Sequence, residues 1–139
     1  MTAATGVTTT TTTTTAEARA AARQLITPER LRDFFAPRSI ALVGASETSG
    51  WARFIVAASS AVGYTGPLLP VHPRHDKIFG RPAVRTLRDL AEPADLAFIL
   101  APTQAVATVI EDAAAAGVRN AVVLASGYRE AGADDTDLR

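Results

Sequence analysis

The chain has 139 residues, 47% of them hydrophobic, and its fourteen basic and fourteen acidic side chains cancel. That balance supplies no net positive field to attract a nucleic-acid backbone or an anionic membrane surface. The lack of cysteine excludes disulfides and thiolate chemistry, and no apolar run approaches the roughly 20 residues of a membrane-spanning helix. With no basic and apolar secretory signal at its front, the expectation is a cytoplasmic protein with one small domain, for which a homo-oligomer or a partner domain is a natural complement.

Residues 1–27 read as a tail. Thr8–Thr15 is an uninterrupted threonine run with nothing apolar to bury, so it is expected to be disordered, followed by a frayed Ala/Arg/Glu helix over Ala16–Leu25. The domain is expected over residues 28–139. Thr27-Pro28-Glu29 supplies a cap, a proline for the first helical position and an acid in the first turn, so a short helix should run to Phe35. Its apolar face of Leu31, Phe34 and Phe35 is expected to pack on the domain's edge.

From Pro37 the pattern alternates strand and helix. Ser39–Val43 is an apolar strand; Trp51, Phe54, Ile55, Ala58 and Val62 then recur at helical spacing until Gly63. Leu68–Val71 is a second strand, followed by a loop holding His72-Pro73-Arg74-His75, an extended piece at Pro82–Val84 and a helical turn at Thr86–Leu90. Leu96–Leu100 is a third strand. A helix opening at Pro102 or Thr103 aligns Val106, Val109, Ile110 and Ala113 and ends at Gly117, and Ala121–Leu124 is the last clear strand. Continuous apolar strands joined by amphipathic helices predict an α/β, Rossmann-like, open and mainly parallel sheet with helices on both faces, incomplete at its C-terminus.

In such a sheet, ligands bind beyond the carboxyl ends of the strands. Gly44-Ala45-Ser46, Val71-His72-Pro73, Ala101-Pro102 and Ser126-Gly127 all occupy that position. Small residues and proline favour any strand-to-helix turn, but their coincidence on one edge points to a cleft, and a helix N-terminus there would favour an anionic phosphate. A dinucleotide GxGxxG fails, because Gly44 is followed by Ala45, Ser46, Glu47, Thr48 and Ser49 before Gly50. No acid follows Val71 to bind ribose hydroxyls, which disfavours NAD. Arg74 and Lys77 instead suit a cofactor with an extra ribose phosphate, or are simply solvated.

Taken in order, Ser39-Ile40-Ala41-Leu42-Val43-Gly44-Ala45-Ser46, Gly63-Tyr64-Thr65-Gly66, Pro70-Val71-His72-Pro73, Ala94-Asp95-Leu96-Ala97, Ala101-Pro102 and Ser126-Gly127-Tyr128-Arg129-Glu130-Ala131-Gly132 resemble the CoA-binding domain of NDP-forming acyl-CoA synthetases. That group includes the ADP-forming acetate-CoA ligases and the α subunit of succinyl-CoA synthetase. The resemblance covers Pro37 to the end and implies a module that binds coenzyme A or acyl-CoA. By that likeness the cleft would be lined by Gly44, Ala45, Ser46, Val71, His72, Pro73, Arg74, Ala101, Pro102, Ser126 and Gly127, and the charge reading above adds Lys77 to them. It also implies, as partners, an ATP-grasp portion and a phosphohistidine-bearing subdomain, so the chain is expected to be catalytically incomplete alone. A stand-alone CoA-binding protein or an NAD(H)-binding sensor is the alternative.

Departures from the family pattern matter. Trp51-Ala52-Arg53 stands where further glycine is usual, and Arg53 could either reach a phosphate or close the pocket. His72 replaces the usual Asn of the second-strand motif, which puts one polar contact in doubt. Neither His72 nor His75 matches the phosphorylated histidine, and no Cys or paired acid completes a metal set with them, so loop histidines are expected and no metal site. Ser46 and Ser126 lie outside any nucleophile elbow. No residue is assigned a catalytic role, and Glu130 is read as a turn cap in preference to a ligand contact.

Overall fold

The computed structural model describes Ala20 and residues 26–125. The Thr-rich run and the readings at Ser126, Gly127 and Glu130 lie outside the described residues. The elements are α1 (Pro28–Phe35), β1 (Ile40–Val43), α2 (Gly50–Ala61), β2 (Leu68–Val71), β3 (Lys77–Ile78), β4 (Arg81–Pro82), a single 3-10 turn at Leu87–Asp89, β5 (Leu96–Ile99), α3 (Thr103–Ala115) and β6 (Ala121–Val123).

Strands β2-β1-β5-β6 form a parallel sheet with β1 and β5 inside. Ile-Ala-Leu-Val of β1 is buried along its whole length, as a strand covered on both faces must be. Side-chain alternation sorts the core into two layers. Ile40, Leu42, Leu68 and Leu96 meet Ala52 and Ile55 of α2 on one face. Ala41, Val43, Val71 and Ala97 meet Leu87 and Ala113 on the other, where Val106 of α3 also packs on Ile99. The Rossmann-like arrangement with helices on both faces is therefore present.

Two local features depart from the sequence reading. The segment after His75 is not a plain loop: β3 and β4 form an antiparallel hairpin around Phe79-Gly80, both with positive φ, 50° and 71°. Such turns are usually announced by Asn-Gly or Asp-Gly, and a phenylalanine in the first place hides the signal. Beyond it, Val84 adds one parallel bridge to Val71, tying the following residues to the sheet's carboxyl edge. In α1, Thr27 Oγ1 accepts from the Arg30 amide as expected, yet only Phe34 packs against the core. Leu31 and Phe35 are exposed, because α1 touches the domain with one turn and is otherwise fastened by polar contacts, Asn120 Nδ2 donating to the Arg30 carbonyl.

The amino edge of the sheet is closed by Asp95. Its carboxylate accepts from the Arg38 amide (2.9 Å), Nε (3.0 Å) and Nη2 (3.2 Å), its own amide donates to Ser39 Oγ, and its carbonyl accepts from Asn120 Nδ2. One residue thus joins the starts of β1, β5 and β6. The Arg38 guanidinium holds the Asp95 carboxyl below its ordinary 3.8, so the folded chain resists protonation more than the unfolded chain. The contribution is complete above pH 3.8 and fades as pH falls through the lowered folded value. Asp95→Asn is expected to cost about 1–2 kcal/mol, the lower part of the range for charge-assisted bonds because the Arg38 side chain is screened by water. Urea unfolding at pH 7 should show this loss, and the gap between variant and parent should shrink in acid.

Candidate functional site

Three strand ends converge at Gly44. Its amide donates to the Val71 carbonyl (2.8 Å), while the Val43 carbonyl accepts from the Leu100 amide (2.8 Å). Gly44 has φ +76°, and a Cβ there would stand 3.0 Å from both Cα and N of Ala101. Only glycine meets both demands, the left-handed backbone and the close approach. The chain then turns through Ser46 to Ser49, whose Oγ accepts from the Ala52 amide and caps α2.

Above these turns lies a cleft of about 820 Å³, within the range of small-molecule sites. Of the sequence-predicted residues, Gly44, Ser46, Val71, His72, Pro73, Arg74, Ala101 and Pro102 line it together. Ala45 does not: it is fully buried and packs into the core beneath the turn. Lys77 lies on β3, exposed and away from the cleft lining, because the hairpin carries it past the edge. Arg53 is exposed on α2 and is likewise absent from the lining.

The sequence reading missed a further wall. Arg85, Thr86 and Arg88 enter the cleft, and so do Ala105, Thr108, Val109 and Asp112 of α3. The α3 residues recur at the spacing of one helical stripe, a signal available in the sequence but overshadowed by the core stripe beside it. The arginines carry no such signal, since their arrival depends on the Val71–Val84 bridge. Arg85 Nη1 donates to the Pro73 carbonyl (3.0 Å) and Nη2 pairs with Asp76. Arg88 Nε pairs with Asp112 Oδ1 at 2.7 Å, and Asp112 Oδ2 accepts from the Leu87 amide at 2.9 Å. With Arg74, three guanidinium-bearing side chains line the cleft together with Glu111 and Asp112.

His72 holds the second turn. It is buried, and its Nδ1 accepts from the Arg74 amide (3.1 Å) and the His75 amide (3.2 Å). An acceptor at Nδ1 requires the neutral ring with its proton on Nε2. The polar contact that substitution for Asn put in question is thus made, with Nδ1 standing where an Asn side-chain oxygen would accept the same amides. The rings of His72 and His75 lie 4.4 Å apart. Burial first, then the nearby His75, Arg74 and Arg85 charges, hold the His72 imidazole below its ordinary 6.5.

Comparison with known proteins places the chain in a family. Residues 38–136 match the model of a CoA binding domain. The chain belongs to the CoA-binding domain family. This CoA-binding domain is 37% identical over 103 residues to an ADP-forming acetate–CoA ligase II of Archaeoglobus fulgidus, covering 73% of the chain but 15% of that protein. It is 28% identical to the α subunit of an ADP-forming acetate–CoA ligase II of Pyrococcus furiosus, covering 71% of the chain and 22% of the subunit. Among solved structures it resembles a dinucleotide forming acetyl-coenzyme A synthetase 1 of Ca. Korarchaeum cryptofilum, in complex with phosphate and ADP, with a TM-score of 0.66 and 35% identity over 73% of the chain and 22% of that protein. The chain therefore spans less than a quarter of the length of these relatives. Among the described residues no helix is long and apolar enough to cross a membrane.

Two outcomes follow from the geometry. Since folding disfavours protonated His72, its contribution to stability is complete above pH 6.5 and declines as pH falls through the lower folded value. His72→Asn should keep the two amide bonds and flatten that decline in thermal melts between pH 7 and 5, whereas His72→Ala should cost about 0.5–2 kcal/mol, as loss of a capping acceptor does. Gly44→Ala should lower stability by at least the roughly 1–2 kcal/mol of a left-handed alanine, with the Ala101 backbone contact added, read by calorimetry.

Proposed function

We propose that the CoA-binding domain holds coenzyme A by its nucleotide portion in the cleft at the carboxyl edge of the sheet. The observation that carries this reading is the convergence on one cleft of the glycine turn at Gly44, the capped start of α2 and the Arg74, Arg85 and Arg88 side chains. Bare backbone at a helix start and guanidinium groups are complementary to phosphate. Gly44, Ser46 and Ser49 offer the close backbone approach, Val71, Ala101 and Pro102 the apolar wall, and Arg74 with Arg85 the anion contacts. In this reading Lys77 contributes only long-range charge.

The domain acts as the CoA site of an acyl-CoA synthetase of the NDP-forming type. The acid–thiol ligation itself belongs to an ATP-grasp portion and a phosphohistidine-bearing portion, on the same polypeptide or on a partner subunit. The stated relatives support this: they are ADP-forming ligases, and one is an α subunit. In the cleft the protein's own residues bind and orient. His72, proton on Nε2, fixes the turn that presents Arg74, and the Arg85–Asp76 and Arg88–Asp112 pairs hold two guanidinium groups in place until a ligand phosphate competes for them.

Ligand-induced thermal shifts test the reading, because a ligand that binds only the folded state stabilises it by mass action. CoA should raise Tm, dephospho-CoA should do so less, and Arg74→Ala or Arg85→Ala should weaken CoA roughly tenfold or more, the loss of a charge-assisted contact. Equal shifts from CoA and dephospho-CoA would remove the extra-phosphate contact. A shift from NADH at concentrations where CoA has none would overturn the assignment in favour of a dinucleotide sensor.

A further inference from the structure

The run between the buried Val71 and Ile78 has a single buried anchor. Residues 73–77 are exposed, and of the six residues in that run His72 alone is buried. Its ring is held by the chain's own amides, Nδ1 accepting from Arg74 (3.1 Å) and His75 (3.2 Å). Further out, the Pro73 carbonyl accepts from Arg85 Nη1 at 3.0 Å, and Asp76 pairs with Arg85 Nη2. The placing of both Arg74 and Arg85 at the cleft therefore depends on one imidazole.

A second proton on that imidazole has one place to go. Nε2 already carries hydrogen, so the proton arrives at Nδ1, where two N–H groups meet it in place of a lone pair. Both amides lose their acceptor, and the turn loses the bonds that close it. Burial opposes the proton first, and then His75, whose ring centroid lies 4.4 Å away, with Arg74 and Arg85. The carboxylates nearby do not compensate. Asp76 is paired with Arg85, and Asp112 with Arg88 and the Leu87 amide; Glu111 is exposed on α3. Among the described residues no carboxylate is bonded to the ring. The Gly44 turn brings no charge either, since Ser46 and Ser49 line the cleft while Glu47 accepts from the Phe79 amide at 3.1 Å.

We propose that His72 is a proton-operated catch on the cleft: with a neutral ring the turn stays shut and presents its guanidinium groups to a phosphate-bearing ligand, and with a protonated ring the turn opens and the ligand is released. This regulation rests on the assignment of the cleft to coenzyme A. Attraction between a charged ring and the ligand's phosphates does not reverse its sign. The neutral ring already offers Nε2–H, so protonation adds a donor only on the side of the amides, while Arg74, Arg85 and Arg88 supply positive charge to the cleft in either state. A ligand that selects the shut turn selects the neutral ring. It therefore expels a proton as it binds, and its affinity falls as pH drops through the value at which the folded ring titrates. The sheet outlasts the turn, because its strands are joined by their own ladders and by the Asp95 cluster at the opposite edge.

Titration calorimetry of the full chain with CoA and with dephospho-CoA, from pH 7.5 to 5, tests the catch. A ligand phosphate itself gains a proton near pH 6, so the parent is compared with His72→Asn, each normalised to its own affinity at pH 7.5. Asn offers the acceptor and does not titrate. By pH 5 the parent should lose roughly threefold to thirtyfold more affinity than His72→Asn, the upper figure being that of an imidazole at its ordinary 6.5 whose protonation fully opens the turn. His75→Asn removes one charge that opposes the proton on His72, so its decline should begin at higher pH than the parent's, which a role in shape alone would not produce. Without ligand, the Arg74 and His75 amide resonances should move with the His72 ring through one titration, and circular dichroism at each pH checks that the chain stays folded. A parent profile within threefold of the variant's, or affinity that rises in acid relative to it, would overturn the inference, and so would amides that ignore the ring. Absence of CoA binding at pH 7.5 would overturn the cleft assignment and this regulation with it, whereas binding with parallel profiles overturns the regulation alone.

Discussion

The contact on which the site depends is backbone against backbone: Gly44 against Ala101 at the carboxyl edge of the sheet. β1 lies between β2 and β5, so turns from three parallel strands can touch at its end. The Gly44 amide reaches Val71 on one side and the Val43 carbonyl receives Leu100 on the other. With a side chain at position 44, the turn would be strained and the two neighbouring loops would part. The cleft is the space left above this close approach, and its shape follows from the absence of a single Cβ.

The two edges of the sheet are held by different physics. At the amino edge a charge-assisted cluster around Asp95 gathers three strand starts. It is satisfied within the chain and leaves no polar atom of Asp95 looking for a ligand. At the carboxyl edge, charged groups are held in exposed or half-exposed ion pairs, Arg85 with Asp76 and Arg88 with Asp112. Such pairs are weak in water and exchange partners readily, which is the property a phosphate site needs. His72 stands between these regimes: its turn is structural and buried, while its ring lines the cleft. Substituting His for Asn therefore keeps the geometry of the turn and introduces a dependence on pH that Asn would not carry.

The α2 face adds a different kind of surface. Helices of a parallel sheet normally bury their apolar stripe, and α2 does so with Ala52 and Ile55. It also turns Trp51 and Phe54 outward, in line with Val62 at its C-cap, and these side chains are exposed among the described residues.

Much of this was legible from residue order alone. Continuous apolar strands and helical spacing fix the alternation of elements, because burial on two faces leaves no polar position in a strand such as Ile40–Val43, and caps such as Thr27 and Ser49 act on amides only three residues away. The Gly44, His72 and Ala101 turns were equally readable, since strand ends of a parallel sheet share one edge. What tertiary structure alone decided are the features set by contacts distant in the chain. The Val71–Val84 bridge brings Arg85 and Arg88 to the cleft, the Phe79-Gly80 hairpin carries Lys77 away from it, and Ala45 turns inward while its neighbours stay at the rim. Local pattern determines which residues are strand, helix or turn. Only the closing of the chain on itself determines which side chains, far apart in sequence, face the same space.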